Sequence, residues 1–195
     1  MLSCFPVHKN EQEVKINAKE IQKFKPNYTV ALYNTKVDVV GNHFSGLLLI
    51  KKMPDSTTRI VFSNEIGFKF FDFEFNNDFD FKVYSVIKQM NRKAVITTLR
   101  TDFELVLMQM NLNTSGSRYT QNGRLYNLFP DLSGKGYNCY ITDMLGDTLL
   151  GMERRSNNKT IVNATMRNYN EGQPDTISIV HNRFNFSIGL KRINQ

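Results

Sequence analysis

From Phe62 to Val86 apolar and polar residues alternate: Phe-Ser-Asn-Glu-Ile-Gly-Phe-Lys-Phe-Phe-Asp-Phe-Glu-Phe-Asn-Asn-Asp-Phe-Asp-Phe-Lys-Val-Tyr-Ser-Val. An extended strand sends successive side chains to opposite faces, so this order paints one face with large aromatics. Asn76-Asn77-Asp78 interrupts the beat with turn chemistry, which makes the segment a hairpin. A chain with this at its centre must cover a greasy sheet face. What covers it, or fills the space beside it, decides what the protein does.

Similar segments flank the hairpin. Tyr28 to Val40, His43 to Met53 and Thr57 to Ser63 read as strands before it, separated by Gly41-Asn42 and Pro54-Asp55-Ser56. Beyond it, strands are expected over Arg118 to Phe129, Gly136 to Asp143, Asp147 to Arg155 and Thr160 to Tyr169, with a closing hairpin from Thr176 to Ile193. Between these groups the period changes. Val95, Leu99, Phe103, Val106 and Met110 recur at helical spacing, widened by Ala94, Thr98 and Leu107, and Asn91 can cap the start. One helix over about 91–110 follows. About ten strands and one long helix make an open sheet with a helix in its lap, or a barrel with a plug.

At 195 residues the chain suits one domain with a sizeable core. No run approaches the ~18 apolar residues of a spanning helix. The net charge of +7 is scattered into short clusters and forms no basic arm, which reads as solvated strand edges and helix ends. Aromatics share their beat with Leu, Ile, Val and Met, as in a closed apolar interior, so stacking on single-stranded nucleic acid is not expected. His8, His43 and His181 lack partners at metal-ligand spacing. Asn76, Asp78 and Asp80 imitate the start of a calcium loop, but Phe81 and Ile87 stand where its Gly and Glu belong. Gly134-Lys135-Gly136 lacks the rest of a phosphate loop, and there is no Gly-x-Ser-x-Gly elbow. No catalytic set, cofactor or metal site is expected.

The start is more informative. Met1-Leu2-Ser3-Cys4 matches the tail of a bacterial lipoprotein signal, in which the cysteine is acylated, although no basic and long apolar regions precede it. Residues 1–4 are then a signal remnant, 5–27 a polar tether, and 28–195 the body. Val14, Ala18 and Ile21 are also spaced for a short helix within that tether. Cys139, in Tyr137-Asn138-Cys139-Tyr140-Ile141, reads as a buried small hydrophobe.

In the order of its elements the chain resembles the LolA/LolB superfamily, specifically LolB-like outer-membrane lipoproteins of Bacteroidota type. The resemblance covers roughly residues 28–195. It rests on His43-Phe44-Ser45-Gly46 opening the second strand and Glu65-Ile66-Gly67 before the aromatic strand. Asn91-Arg92-Lys93 starts the helix, and Ile177-Ser178-Ile179-Val180-His181 with Phe186-Ser187-Ile188 forms the closing hairpin. It implies an unclosed antiparallel half-barrel whose concave apolar face is covered by helix and takes the acyl chains of lipoproteins. Cys4 would be the lipid anchor, placing the protein on the periplasmic face of a Gram-negative outer membrane, as a monomer, with a periplasmic carrier protein as donor. The family's protruding, membrane-inserting leucine loop has its nearest counterpart in Leu128-Phe129-Pro130-Asp131-Leu132, which also reads as a plain strand end. The tryptophans common in proteobacterial members are absent.

The first functional reading is a lipid-anchored, non-enzymatic carrier or acceptor of lipoprotein acyl chains or other lipids. Its cavity would be lined by Leu48, Ile50, Ile60, Phe62, Phe71, Phe73, Val95, Leu99, Phe103 and Ile179, with the helix as a lid. The alternative is a structural or partner-binding envelope lipoprotein whose cavity is filled by its own side chains. A void of several hundred Å3 between helix and sheet favours the carrier, and a packed interior favours the scaffold.

Overall fold

The computed structural model describes residues 14–39, 41–156 and 159–193. Cys4, residues 1–4 and residues 5–13 of the expected tether lie outside them. The described chain is mainly β, a single antiparallel sheet of thirteen strands that does not close into a barrel.

In chain order the strands are β1 Val14–Asn17, β2 Val30–Val39, β3 Asn42–Lys52, β4 Thr58–Ser63, β5 Lys69–Phe75, β6 Phe81–Val86, β7 Ser115–Gln121, β8 Arg124–Pro130, β9 Tyr137–Thr142, β10 Leu149–Ser156, β11 Lys159–Asn170, β12 Gln173–His181 and β13 Phe186–Arg192. A 3-10 helix spans Ala18–Phe24, and α1, the one α-helix among the described residues, spans Lys93–Val106. The sheet runs β1-β7-β8-β9-β10-β11-β12-β13-β2-β3-β4-β5-β6, so β1 and β6 are its free edges.

One helix proves the curvature. The Phe103 ring of α1 meets Phe71 and Phe75 on β5, while Asp102, on the same helix, binds Arg154 on β10 and His181 on β12. β5 and β10 are seven strand spacings apart along the sheet, about 34 Å at about 4.8 Å per spacing. A helix about 10 Å across touches both only if the sheet wraps around it. The expected open half-barrel with a helix on its concave face is the observed architecture.

The aromatic hairpin is β5–β6, with Phe71, Phe73 and Phe75 buried on the concave face. Asp72, between two of them, points to the convex side. It is covered there by Arg59 and Lys69, which hydrogen-bond its two oxygens. Burial pushes this carboxyl up, but those hydrogen bonds outweigh it and hold Asp72 below its usual value.

Three details differ from the sequence reading. Arg118 to Phe129 is not one strand but the β7–β8 hairpin, turned at Asn122 (φ 51) and Gly123 (φ 69). Two consecutive positive φ values make the type I′ turn that Asn-Gly favours. The helix runs from Lys93 to Val106 rather than over about 91–110: Arg92, not Asn91, stands at its N-cap and makes no side-chain capping hydrogen bond, and the helix stops short of Met110. Met108 takes a left-handed conformation (φ 50). The Gln109 amide then bonds the Glu104 carbonyl at 2.9 Å and the Met108 amide the Leu105 carbonyl at 3.2 Å. This Schellman closure usually carries glycine, but here Met108 and Met110 are buried and packing holds the turn. Finally, Val14 to Phe24 is built into the fold. β1 pairs with β7, and Ala18 and Ile21 of the 3-10 helix sit in the main core. Asn17 caps that helix in a reciprocal capping box with Glu20. No helix among the described residues is long and apolar enough to cross a membrane.

Candidate ligand-binding face

Antiparallel pairing sets the expected lining residues side by side. Leu48 on β3 lies opposite Phe62 on β4, which lies opposite Phe71 on β5. One step along, Ile50, Ile60 and Phe73 form a second row. Ile179 on β12 sits between Ala164 and Ile188. Val95, Leu99 and Phe103 fall on one face of α1 because their spacing follows the helical turn. All ten belong to one buried cluster.

That cluster is packed. Leu48, Ile50, Ile60, Phe62, Phe71, Phe73, Leu99 and Ile179 are each 0% exposed. A side chain bordering a void wide enough for water would keep some accessible surface. Around these eight, no space wide enough for a water molecule is left. An occupant of this face would have to displace side chains that now fill it, among them Phe103 of α1, whose ring meets Phe71 and Phe75.

The interface beneath α1 is not wholly apolar. Asp102 is completely buried. Its Oδ2 lies 2.8 Å from His181 Nε2, and its Oδ1 accepts from Arg154 Nη1 at 3.2 Å. His181 also packs edge-on against Phe186. Two residues on, burial pushes the Glu104 carboxyl up, partly offset by a 2.6 Å hydrogen bond from Arg100. Arg100 also donates to the Phe79 carbonyl in the β5–β6 turn at 3.1 Å. The helix is thus fastened to both flanks of the half-barrel by charged groups. The Asp102–Arg154 partnership joins residues 52 positions apart, beyond the reach of any local pattern. A signal existed: Asp102 is three residues from Leu99 and four from Val106, on the face the apolar stripe assigns to the interior.

The leucine-loop candidate is a strand end. Leu128 and Phe129 are buried within β8, because that strand is covered on both faces. Among the described residues the most exposed apolar loop residues are elsewhere: Ile66 (90% exposed) in the β4–β5 turn and Leu145 (84%) in the β9–β10 turn. These turns lie at opposite ends of the sheet. His43 is at the β2–β3 turn, where its Nδ1 lies 2.7 Å from Asp38. Among the described residues no group of three His, Cys, Asp or Glu side chains is arranged to hold a metal ion.

Cys139 faces the convex side, in a small cluster with Leu128 and Ile141 beneath Tyr119, Tyr126 and Tyr137. Burial pushes its thiol up to about 12, so almost no thiolate exists at neutral pH. A Cys4→Ser chain will show no native thiol reactive with Ellman's reagent at pH 8, and one in guanidinium. Rapid native labelling would mean that this outer cluster opens.

Several grooves open to solvent. One of about 560 Å3 crosses β13, β2 and β3, lined by Lys36, Ser45, Gly189 and Lys191 with Glu65. One of about 290 Å3 lies between β2 and the β11–β12 turn. Two more meet at the end of the half-barrel where β5 turns into β6. None of these four is lined by any of the ten expected residues.

No family model matches this sequence, and a comparison with curated proteins finds no match. Solved structures similar to it include these two. One is described as an outer membrane lipoprotein-sorting protein domain from Vibrio parahaemolyticus, with a TM-score of 0.47 and 10% identity over 91% of this chain and 88% of that one. The other is a DUF1329 family protein from Desulfovibrio piger, with a TM-score of 0.47 and 8% identity over the same shares.

Proposed function

We propose that this chain is a non-enzymatic carrier or acceptor of acyl chains of the LolA/LolB kind, held at the outer membrane by an acylated Cys4. In this reading α1 is its lid. The supporting observation is the polar fastening beneath that helix. Packing alone would hold α1 down more cheaply, because replacing a buried ion pair with apolar groups is often neutral or stabilising. A buried Asp102–Arg154–His181 set instead gives the helix a defined seat that can be released as a unit. Acyl chains and the apolar stripe of α1 compete for the same rows of Leu48, Ile50, Phe62 and Phe71. Uptake then needs no catalytic residue, and direction of transfer follows from the difference in acyl affinity between donor and acceptor.

The packed interior supports a second reading, a partner-binding envelope scaffold whose concave face is permanently filled. The two part on binding. A Cys4→Ser chain purified from cells with an intact envelope, examined by native mass spectrometry, is expected to carry acyl lipid or to take up a diacylated peptide. Hydrogen exchange in α1 should then accelerate while β2 to β5 stay protected. A clean mass that refuses the peptide, with α1 exchange unchanged, would reject the carrier and leave the scaffold.

A further inference from the structure

The base of the half-barrel carries a polar groove with unbalanced charge. Lys25 ends the 3-10 helix and Lys52 ends β3. Both line a groove of about 250 Å3. A second groove, of about 240 Å3, shares Lys25, Asn77 and Gln109 with it. No carboxylate lines either one, and neither lysine forms an ion pair among the described residues, where other surface lysines, such as Lys23 and Lys69, do. Partial burial and then the charge of Lys52 hold the Lys25 amine below its ordinary value. The Nε2 donor of Gln22, on the wall of the second groove, is buried without a hydrogen-bond partner, a state that normally costs stability. The C-terminus of α1 borders the groove with partial negative charge, but only about half a charge. Its Glu104 and Leu105 carbonyls already accept from Gln109 and Met108.

We infer that this groove is an oxyanion site that takes a phosphate-type head group, with Lys25 and Lys52 as the charge partners and Gln22, Asn77 and Gln109 as neutral donors. Donors from four separate segments surround the space, which suits a tetrahedral anion. The apolar floor indicates what the anion is attached to. Leu107 lines the first groove and Met110 the second, and both belong to the main core. An amphiphile could keep its head between the lysines while its chains enter beneath the C-terminal end of α1. This deepens the carrier reading and rests on it: the cargo is an anionic phospholipid-like molecule. The same chemistry also fits free phosphate.

The test is isothermal titration of the full Cys4→Ser chain with dodecyl phosphate, dodecyl maltoside and inorganic phosphate, repeated on K25Q/K52Q. Both lysines keep much of their surface in solvent, Lys25 with its amine partly covered, and unchanged thermal unfolding will confirm that the variant keeps its fold. Dodecyl phosphate is expected to bind about tenfold more tightly than dodecyl maltoside, the scale of one or two partly exposed charge contacts. The double variant should erase the difference. Equal binding of the two amphiphiles, unaffected by the variant, would overturn the oxyanion site and leave the carrier reading standing. Lysine-dependent binding of inorganic phosphate as tight as that of dodecyl phosphate, with no binding of the maltoside, would uphold the oxyanion site and overturn the carrier. No binding of any probe would overturn both.

Discussion

Asp102→Ala will destabilise the protein by about 3–5 kcal/mol, the usual cost of breaking a buried ion pair by removing one partner. Asp102 has no exposed surface, and its two oxygens serve Arg154 and His181. Alanine leaves the Arg154 guanidinium buried with its countercharge gone, and that desolvation is the larger part of the loss. For a chain of this length the melting temperature should fall on the order of 10 °C. Asp102→Leu combined with Arg154→Met should recover more than half of the lost stability, because an apolar pair needs no countercharge. Urea unfolding of the three proteins decides the matter. If Asp102→Ala costs less than about 1 kcal/mol, the range of an exposed pair, the network does not seat α1 and the releasable-lid argument loses its support.

That network also marks where sequence reasoning stops. The strands of the hairpin could be read because period-2 alternation is local: Phe71, Phe73 and Phe75 take one face whatever surrounds them. The helix could be read for the same reason at period 3.6, but its end could not. The usual glycine is missing, and Met108 is held left-handed by burial supplied from distant strands. The Asn122-Gly123 turn is spelled in the sequence, but it sits inside a run that otherwise reads as one continuous strand. In Val14 to Phe24 polar composition pointed to a tether, while Asn17 and Glu20 already spelled a capping box. That the ten expected residues are buried could be read from periodicity, since each is apolar on an apolar beat. Whether that face is open or filled depends on how far a helix settles into a curved sheet, which no local pattern encodes. Pairing Asp102 with Arg154, or Lys25 with Lys52, likewise requires the topology that brings β10 under α1 and the end of β3 beside the 3-10 helix.

Leu99→Ala should move stability and acyl binding in opposite directions. Leu99 is fully buried where α1 meets the sheet, and trimming a buried leucine costs about 2–5 kcal/mol in lost contacts and residual cavity. If α1 and acyl chains compete for one face, the loss falls on the closed state. The ligand-bound state, with α1 lifted, does not use those contacts. Apparent affinity rises by the same factor that the closed state loses, until closure no longer dominates the population. Each 1.4 kcal/mol is tenfold, so even the lower end of that range predicts acyl-peptide binding at least tenfold tighter alongside a lower urea midpoint. A filled scaffold predicts the first change without the second: the variant weakens and still refuses the peptide. General loosening of a ligand-binding core would weaken both together. Weaker folding with tighter binding is therefore the signature of a helix that competes with its ligand, and its absence in Leu99→Ala would reject α1 as a lid.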